Sequence, residues 1–364
     1  MKKVLCAVTN DLVQDARMKR VCNALCTSGY LSELIGRERP GSLPFVDGDF
    51  QWHRMKCFFA KGPLFYAEYN ARLFFQILKR KPDIIYAVDV DTLGACMLAG
   101  RIRRTPVVYD AHEYFSETPE LESKPFRKQI WKWLEKILIP GTNQAITVSA
   151  ALAELLEKRY GKVFSVVRNI PESLSESFKG VEERQNGLIY YQGVLNAGRG
   201  LEQMIDAMQF LPDLRLCIAG EGDLSERLRL LAAQSPASAR IKFVGWQSHA
   251  GLNDLAKKAW IGINLLDGNS LSYRYSLANK TFDYIRAGLP ALHMNFPEYQ
   301  SLVTEYRIGW VTENLHPEML AGKLLQIYNN PDSWNEVRQN CIDAAQRLTW
   351  ENESERLMEV FDRL

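Results

Sequence analysis

A two-domain α/β protein built on parallel sheets is what this sequence predicts, and three observations carry the prediction. The chain has 364 residues, too many for one ordinary core and about right for two. Short runs rich in Val and Ile recur along it with helix-patterned segments between them, the mark of βαβ units. A polar stretch, Pro171 to Asn186, interrupts the series near its middle with Pro-Glu-Ser-Leu-Ser-Glu-Ser and then Glu-Glu-Arg-Gln-Asn-Gly.

In chain order the expected strands are Val4–Val8, Leu31–Ile35, Asp83–Val88, Val107–Asp110 and Ala145–Val148, followed after the polar stretch by Leu188–Gln192, Leu214–Ala219, Ile241–Val244, Ile261–Leu266, Ala291–Met294 and Trp310–Val311. The first domain is therefore residues 1–172, the linker 173–186 and the second domain 187–345. Residues 346–364 close the chain with Leu348-Thr349-Trp350-Glu351 and an amphipathic pattern to Leu364.

Charge divides at the same place. Residues 1–172 hold 26 Lys+Arg against 19 Asp+Glu and residues 173–364 hold 19 against 24, so a total of +2 hides halves of about +7 and −5. The basic half points to an anionic partner, a membrane surface or an anionic substrate. Nucleic acid is excluded, for there is no long basic run, no zinc spacing and no RNA-binding aromatic signature. Cysteines at 6, 22, 26, 57, 96, 217 and 341 never form a Cys-x-x-Cys pair and read as buried, reduced thiols rather than a disulfide framework or metal site. The N-terminus lacks a secretory pattern and no segment reaches 18 apolar residues, so a cytoplasmic protein is expected.

Peripheral membrane contact is a separate expectation. Residues 124–139 set Phe126, Ile130, Trp133, Leu134, Ile137 and Leu138 at helical spacing, with Lys124, Arg127, Lys128, Lys132 and Lys136 mostly on other faces and Glu135 the one acidic residue. That is the pattern of an interfacial amphipathic helix, to which residues 51–81, with Phe58, Phe59, Phe65, Phe74 and Phe75, could add. A helix packed on its own sheet with a solvated basic face has the same pattern.

Chemistry is sought in the loops after the strands, because doubly wound sheets bind ligands at the C-terminal strand ends. The most informative segment is Ser276-Leu277-Ala278-Asn279-Lys280-Thr281-Phe282-Asp283-Tyr284-Ile285-Arg286-Ala287-Gly288-Leu289-Pro290, a loop and helix before a buried strand. Lys280 falls in the first helical turn, where the macrodipole repels a cation unless an anion lies between them. Asp283 follows three residues later, so free amides, an ammonium and a carboxylate together suit a phosphate joined to a hydroxyl-rich sugar. An ordinary surface Lys and Asp on a crossover helix is the alternative.

Three other loops add to it. Asp110-Ala111-His112-Glu113 puts an imidazole between carboxylates at a strand end, which marks His112 as a ligand-binding residue. Gly193-Val194-Leu195-Asn196-Ala197-Gly198-Arg199-Gly200 carries Arg199 to a second helix entrance, again best explained by a bound anion. In Gly220-Glu221-Gly222-Asp223 small residues let a ligand approach the backbone. Asp89-Val90-Asp91 is read as a strand-end loop and not as a metal-binding Asp-x-Asp, so no metal is expected.

In their order these pieces resemble the retaining glycosyltransferases of sequence family 4. The resemblance runs through Thr9-Asn10-Asp11, Asp15-Ala16-Arg17, Gly29-Tyr30, Pro82 to Ala87, Asp91-Thr92-Leu93, Tyr109-Asp110-Ala111-His112-Glu113, Ile146-Thr147-Val148-Ser149 and Val167-Arg168-Asn169. It continues through the Gly193 turn, Gly220-Glu221-Gly222, Phe243-Val244-Gly245 and Asn279 to Tyr284. It implies the GT-B architecture, two Rossmann-like doubly wound domains facing across a cleft, with the last helix crossing back to the N-terminal acceptor-binding domain.

It also implies roles. The amides of Ala278 and Asn279 cradle the donor phosphates, Asp283 holds the ribose hydroxyls, and Arg199 and Lys280 clamp the diphosphate. His112 contacts the donor sugar near the reacting carbon, while Gly193, Glu221 and Gly222 lie in loops that approach the donor. Two positions depart from the family pattern: Tyr275 stands where the first of two acids eight residues apart is usual, and Val194 stands where an Arg is usual. The implied reaction moves a sugar from a nucleotide-diphosphate donor, UDP-sugar being commonest, to a carbohydrate or lipid-linked hydroxyl with retention and without metal or other cofactor. A non-catalytic subunit supporting a partner transferase, and a nucleotide-sugar epimerase of the same fold, are the alternatives.

Overall fold

The computed structural model describes residues 1–13, 15–45, 48–173 and 184–364; most of the expected linker, residues 174–183, lies outside them. Packing divides the chain into one unit of Met1–Asn169 with Glu351–Leu364 and another of Ile170–Trp350.

The first unit is built on seven parallel strands: β1 (Lys3–Ala7), β2 (Leu31–Glu38), β3 (Gln51–Lys56), β4 (Ile84–Val88), β5 (Val107–Ala111), β6 (Gln144–Thr147) and β7 (Ser165–Val166), in the order β3-β2-β1-β4-β5-β6-β7. Every residue of β4 and β5 is buried, as befits strands covered on both faces. The order reverses between β1 and β4, which places a ligand crevice at their C-terminal ends.

Several expectations need correction here. Strands β3 and β7 were not expected, since β3 reads Gln-Trp-His-Arg-Met-Lys with only Met55 buried and β7 has just two residues; neither makes an apolar run. Residues 51–81 thus supply an edge strand and the helix Pro63–Arg80, whose Phe65 belongs to the core. Asp89-Val90-Asp91 is no loop, because it opens the helix Asp89–Arg103, where acidic residues in the first turn favour the macrodipole. All seven cysteines are free, but Cys26 and Cys57 are only half-buried.

The helix Trp350–Phe361 contributes to this unit from residue 351 onward. Buried Glu353 accepts from the Arg168 backbone N–H at 2.8 Å and from its guanidinium at 2.9 and 2.6 Å, while Phe361 stacks on Tyr86 with centroids 6.1 Å apart.

The second unit carries six parallel strands: β8 (Leu188–Gln192), β9 (Arg215–Ala219), β10 (Ile241–Gly245), β11 (Ile261–Asn264), β12 (Ala291–Met294) and β13 (Gly309–Thr312), in the order β10-β9-β8-β11-β12-β13. Alternate residues serve two cores: Ile189, Leu216, Ile218, Ile263 and Leu292 face one, and Tyr190, Cys217, Ala219 and Ala291 the other, the period-2 signature of a sheet covered on both sides. Here the order reverses between β8 and β11.

Candidate functional site

In the second unit the turn after β8 meets the helix Asn279–Arg286 at that switch point. Ala278 occupies the N-cap position and no side chain caps the helix; the Thr281 N–H closes the first turn on the Ala278 carbonyl at 3.0 Å. The Ala278 N–H itself donates to the Tyr299 hydroxyl at 3.1 Å.

Lys280 is only 7% exposed. Its ammonium lies 3.8 Å from the centre of the Tyr191 ring, and among the described residues Nζ has no hydrogen-bond acceptor. Burial, and then the positive charge of Arg199, push its pKa well below the usual lysine range, while Asp283 pulls the other way. A buried ammonium left without an acceptor is a cost to the fold that a bound anion would remove.

Arg199 stands just before Gly200, the N-cap of the helix Leu201–Ala207. Its guanidinium lies 4.8 Å from the centre of the Tyr273 ring, and its buried Nε has no acceptor among the described residues. Asp283 accepts from Gln192 Nε2 at 2.7 Å, which ties the helix to the end of β8. The site thus gathers Lys280, Arg199 and Asp283 as the sequence led us to expect, and Lys280 is not the surface residue of the alternative reading.

The glycines explain how closely the loops fit. A Cβ on Gly193 would stand 3.4 Å from both Lys280 Nζ and the Tyr191 hydroxyl. On Gly220, at φ +133°, it would fall 1.9 Å from the Gly193 carbonyl oxygen, and on Gly222 2.6 Å from Asn196 Oδ1. Gly220 and Gly222 therefore lock their loop onto the Gly193 turn. Between them Glu221 accepts from the Leu195 N–H through its backbone carbonyl at 3.1 Å, and its exposed side chain pairs with Arg229.

Sequence reasoning missed the aromatic floor. Tyr191 falls in an expected buried strand and Tyr273 in no expected element, and only their positions beneath a lysine and an arginine give them a role. It also missed His293, which is buried, lies nearly parallel to Tyr299 at 5.1 Å and has neither ring nitrogen partnered among the described residues. Burial, and then the charge of Lys280, hold it neutral with a pKa of about 3.

In the first unit His112 follows β5, half-buried. Its Nε2 lies 3.0 Å from Asp110 Oδ2, and its backbone N–H donates to Asp89 Oδ1 at 3.0 Å. Asp110 is fully buried and receives Arg17 through Nε at 3.1 Å and Nη2 at 3.0 Å, and the Tyr86 hydroxyl at 2.7 Å. Burial alone would raise the Asp110 pKa, but Arg17 and then His112 outweigh it and hold the carboxyl well below its usual range. An ionised carboxylate only accepts, which assigns the proton on the imidazole to Nε2. Burial opposes the charged imidazole, Asp110 more than offsets it, and the His112 pKa is raised.

Asp89 holds a left-handed backbone, φ 54°, an uncommon state for a residue with a side chain that collects at functional sites. Burial raises its pKa to about 8. Asp91, which receives the Thr9 hydroxyl at 2.7 Å, is raised by burial to about 6. The sequence singled out His112 beside Asp110 but gave no sign that Arg17 and Tyr86 would hold that carboxylate.

Two doubly wound parallel sheets, one with a cationic pocket at a helix start and one with a carboxylate-held histidine, define an α/β protein whose second sheet has a place suited to an anion. Residues 16–171 match the family model Glycosyltransferase Family 4 and residues 173–348 match Glycosyl transferases group 1. The two matches take in nearly the whole chain, which belongs to these glycosyltransferases and is a nucleotide-sugar-dependent enzyme of GT-B fold. EpsD, a candidate glycosyltransferase of Bacillus subtilis (strain 168), is 22% identical over 302 residues, 77% of this chain and 76% of that protein. Among solved structures, sucrose-phosphate synthase of Thermosynechococcus elongatus superposes with a TM-score of 0.81 at 14% identity, covering 100% of this chain and 99% of that one. HepE of Anabaena, solved with UDP and glucose, gives 0.75 at 16% identity with 100% of both chains covered. At these identities the structural likenesses speak for the fold.

Proposed function

We propose that this protein transfers a sugar from a UDP-sugar to an acceptor hydroxyl, on a lipid-linked or cell-surface polysaccharide precursor, with retention at the anomeric carbon and without a metal ion. The observation that carries the reading is Lys280, a buried ammonium with no acceptor among the described residues, beside Arg199 and at the uncapped start of a helix. HepE, with the same fold, was solved with UDP-glucose, which supports UDP as the nucleotide. Seven free cysteines suit the cytoplasm, and we place the enzyme there, at the inner membrane surface.

In this reading the start of the Asn279–Arg286 helix receives the phosphates, although the Ala278 amide expected to share in this is held by the Tyr299 hydroxyl; Asp283 takes the ribose hydroxyls, and the loops of Gly193, Glu221 and Gly222 border the donor. Negative charge builds on the departing diphosphate as the anomeric C–O bond breaks. Arg199 and Lys280 are already in place to stabilise it, and each such donor contributes on the order of 10²–10³ in rate. The acceptor oxygen bonds to the anomeric carbon from the face the phosphate leaves, and its proton passes to the leaving phosphate oxygen. His112, oriented by Asp110, contacts the donor sugar near the reacting carbon.

The test incubates purified protein with UDP-hexoses and a panel of acceptors in the presence of a chelator, and reads the product's anomeric configuration by NMR. Retention with full activity in chelator is expected. An inverted product would remove the mechanism, activity restored only by added metal would remove its metal independence, and conversion of a nucleotide sugar with no acceptor present would make the enzyme an epimerase.

A further inference from the structure

We propose that the outward face of the helix Pro125–Leu138 is a docking surface for a bilayer containing anionic lipid. The inward side of this helix is fixed. Glu135, buried, accepts from the Ser116 N–H at 3.1 Å and from the Tyr160 hydroxyl at 2.6 Å, and Lys128 and Lys132 both pair with Glu117, at 2.7 and 2.6 Å. With those anchors the helix has no freedom to roll and bury its opposite side.

That opposite side is apolar. Phe126, Ile130, Trp133 and Ile137 fall four, three and four residues apart, on one face, and all are exposed, Phe126 at 78% and Trp133 at 58%. Of the two readings the sequence left open, a stripe turned inward or outward, the structure has it outward; Leu134 and Leu138 are the residues that turn toward the domain.

Around the stripe stand Lys124, Arg127 and Lys136, exposed and, among the described residues, without an ion-pair partner. A groove of about 360 Å³ is lined by Ile130, Trp131 and Leu134 together with Lys124, Arg127 and one acid, Glu120. A second, of about 450 Å³, carries the apolar surface on to Phe75 and Leu98 of the neighbouring helices, and both of those are exposed.

A contiguous apolar face of this kind marks an interaction surface. Its rim decides the partner: aromatic and aliphatic side chains bordered by Lys124, Arg127 and Lys136, with Glu135 buried and Glu120 the one acid on the groove wall, keep an excess of positive charge that matches the boundary between acyl chains and anionic headgroups. The excess of basic residues in the N-terminal half has the same sign.

Sedimentation of the full chain with lipid vesicles tests this. The protein is expected to pellet with phosphatidylcholine vesicles containing phosphatidylglycerol, at least tenfold more weakly with phosphatidylcholine alone, and less as salt is raised. The double variant Phe126→Ser/Trp133→Ser, with an unchanged circular dichroism spectrum and melting temperature, is expected to lose binding at least tenfold. Absence of wild-type binding to anionic vesicles, equal binding by the folded variant, or a stripe-dependent dimer in analytical ultracentrifugation would each overturn the proposal. The assay contains no sugar donor, so its failure leaves the transferase reading standing, and a loss of transfer to a soluble acceptor would leave this one.

Discussion

Lys280 concentrates the chemistry of the proposed donor site in a single atom, because its ammonium is buried against Tyr191 and has no acceptor among the described residues. Replacing it or Arg199 by Ala should lower turnover at least tenfold, and about 10²–10³-fold for a full electrostatic donor, with unchanged circular dichroism; two fully active variants would end the assignment. A protonation effect follows. Burial and Arg199 depress the pKa of Lys280 in the free protein, and a bound diphosphate would raise it. Between those two values binding takes up a proton, so affinity weakens as pH rises through that window. Calorimetry with UDP across a pH series, in buffers of different ionisation heats, should show the uptake within that window, and Lys280→Met should abolish it; identical proton counts in both proteins at every pH would refute the linkage. His112→Ala should lose transfer more than UDP affinity, since its ring is oriented by Asp110 rather than placed among the phosphate ligands, and the reverse pattern would take His112 out of the sugar's vicinity. Lys280, Arg199 and His112 stood out in the sequence because each is a polar or charged side chain where its local element gives it no reason to be, and their proposed roles await the tests above. Tyr191, Tyr273 and the Arg17–Tyr86 support of Asp110 did not, because an aromatic in a strand, as Tyr191 is, reads as core, Tyr273 sits in the short helix Leu271–Arg274 that no pattern announces, and a contact between residues 17 and 110 leaves no local pattern.

At the level of elements the sequence was read well wherever burial on both faces forced a long apolar run. All six strands of the second sheet were expected; β8, β9, β11 and β12 are the inner ones, mostly buried, while the edge strands β10 and β13 are only partly buried and were legible from the apolar residues they keep. The two missed strands, β3 and β7, are the outer strands of the first sheet, where one side of the pairing is open and the requirement for apolar residues relaxes. The closing helix shows the opposite case, legible as an amphipathic pattern while its anchor was not. Glu353 is buried and binds both the backbone N–H and the guanidinium of Arg168. Removing one partner of a buried pair costs about 3–5 kcal/mol, and because Arg168 keeps some access to water we expect about 2–3 kcal/mol for Glu353→Ala. Chemical denaturation should register this as a lower midpoint; a variant as stable as the parent would mean that Phe361, stacked on Tyr86, holds the helix by itself.

Across the whole molecule, length and the repeated strand–helix series were enough for two parallel-sheet domains, and the split of the chain into Met1–Asn169 with Glu351–Leu364 and Ile170–Trp350 has a thermodynamic consequence. Every proposed donor-binding residue except His112 lies in the second of these units, so donor binding should stabilise that unit directly. A nucleotide diphosphate at about 100 times its dissociation constant adds about 2.7 kcal/mol. For a unit of this size each kcal/mol moves the midpoint by about 2–4 °C, which predicts a rise of about 5–11 °C. In a melting panel of UDP, GDP, ADP and CMP with a chelator present, UDP should produce that rise and the Lys280→Ala protein should show much less of it. A shift that vanishes in chelator would mean that a metal ion, and not Lys280 with Arg199, balances the diphosphate charge. A shift with GDP instead would keep the cationic pocket and change the base, because neither Lys280 nor Arg199 distinguishes one base from another. No shift with any of the four would mean that the buried ammonium serves something other than a nucleotide, and the donor site proposed at the start of the Asn279–Arg286 helix would fall with it.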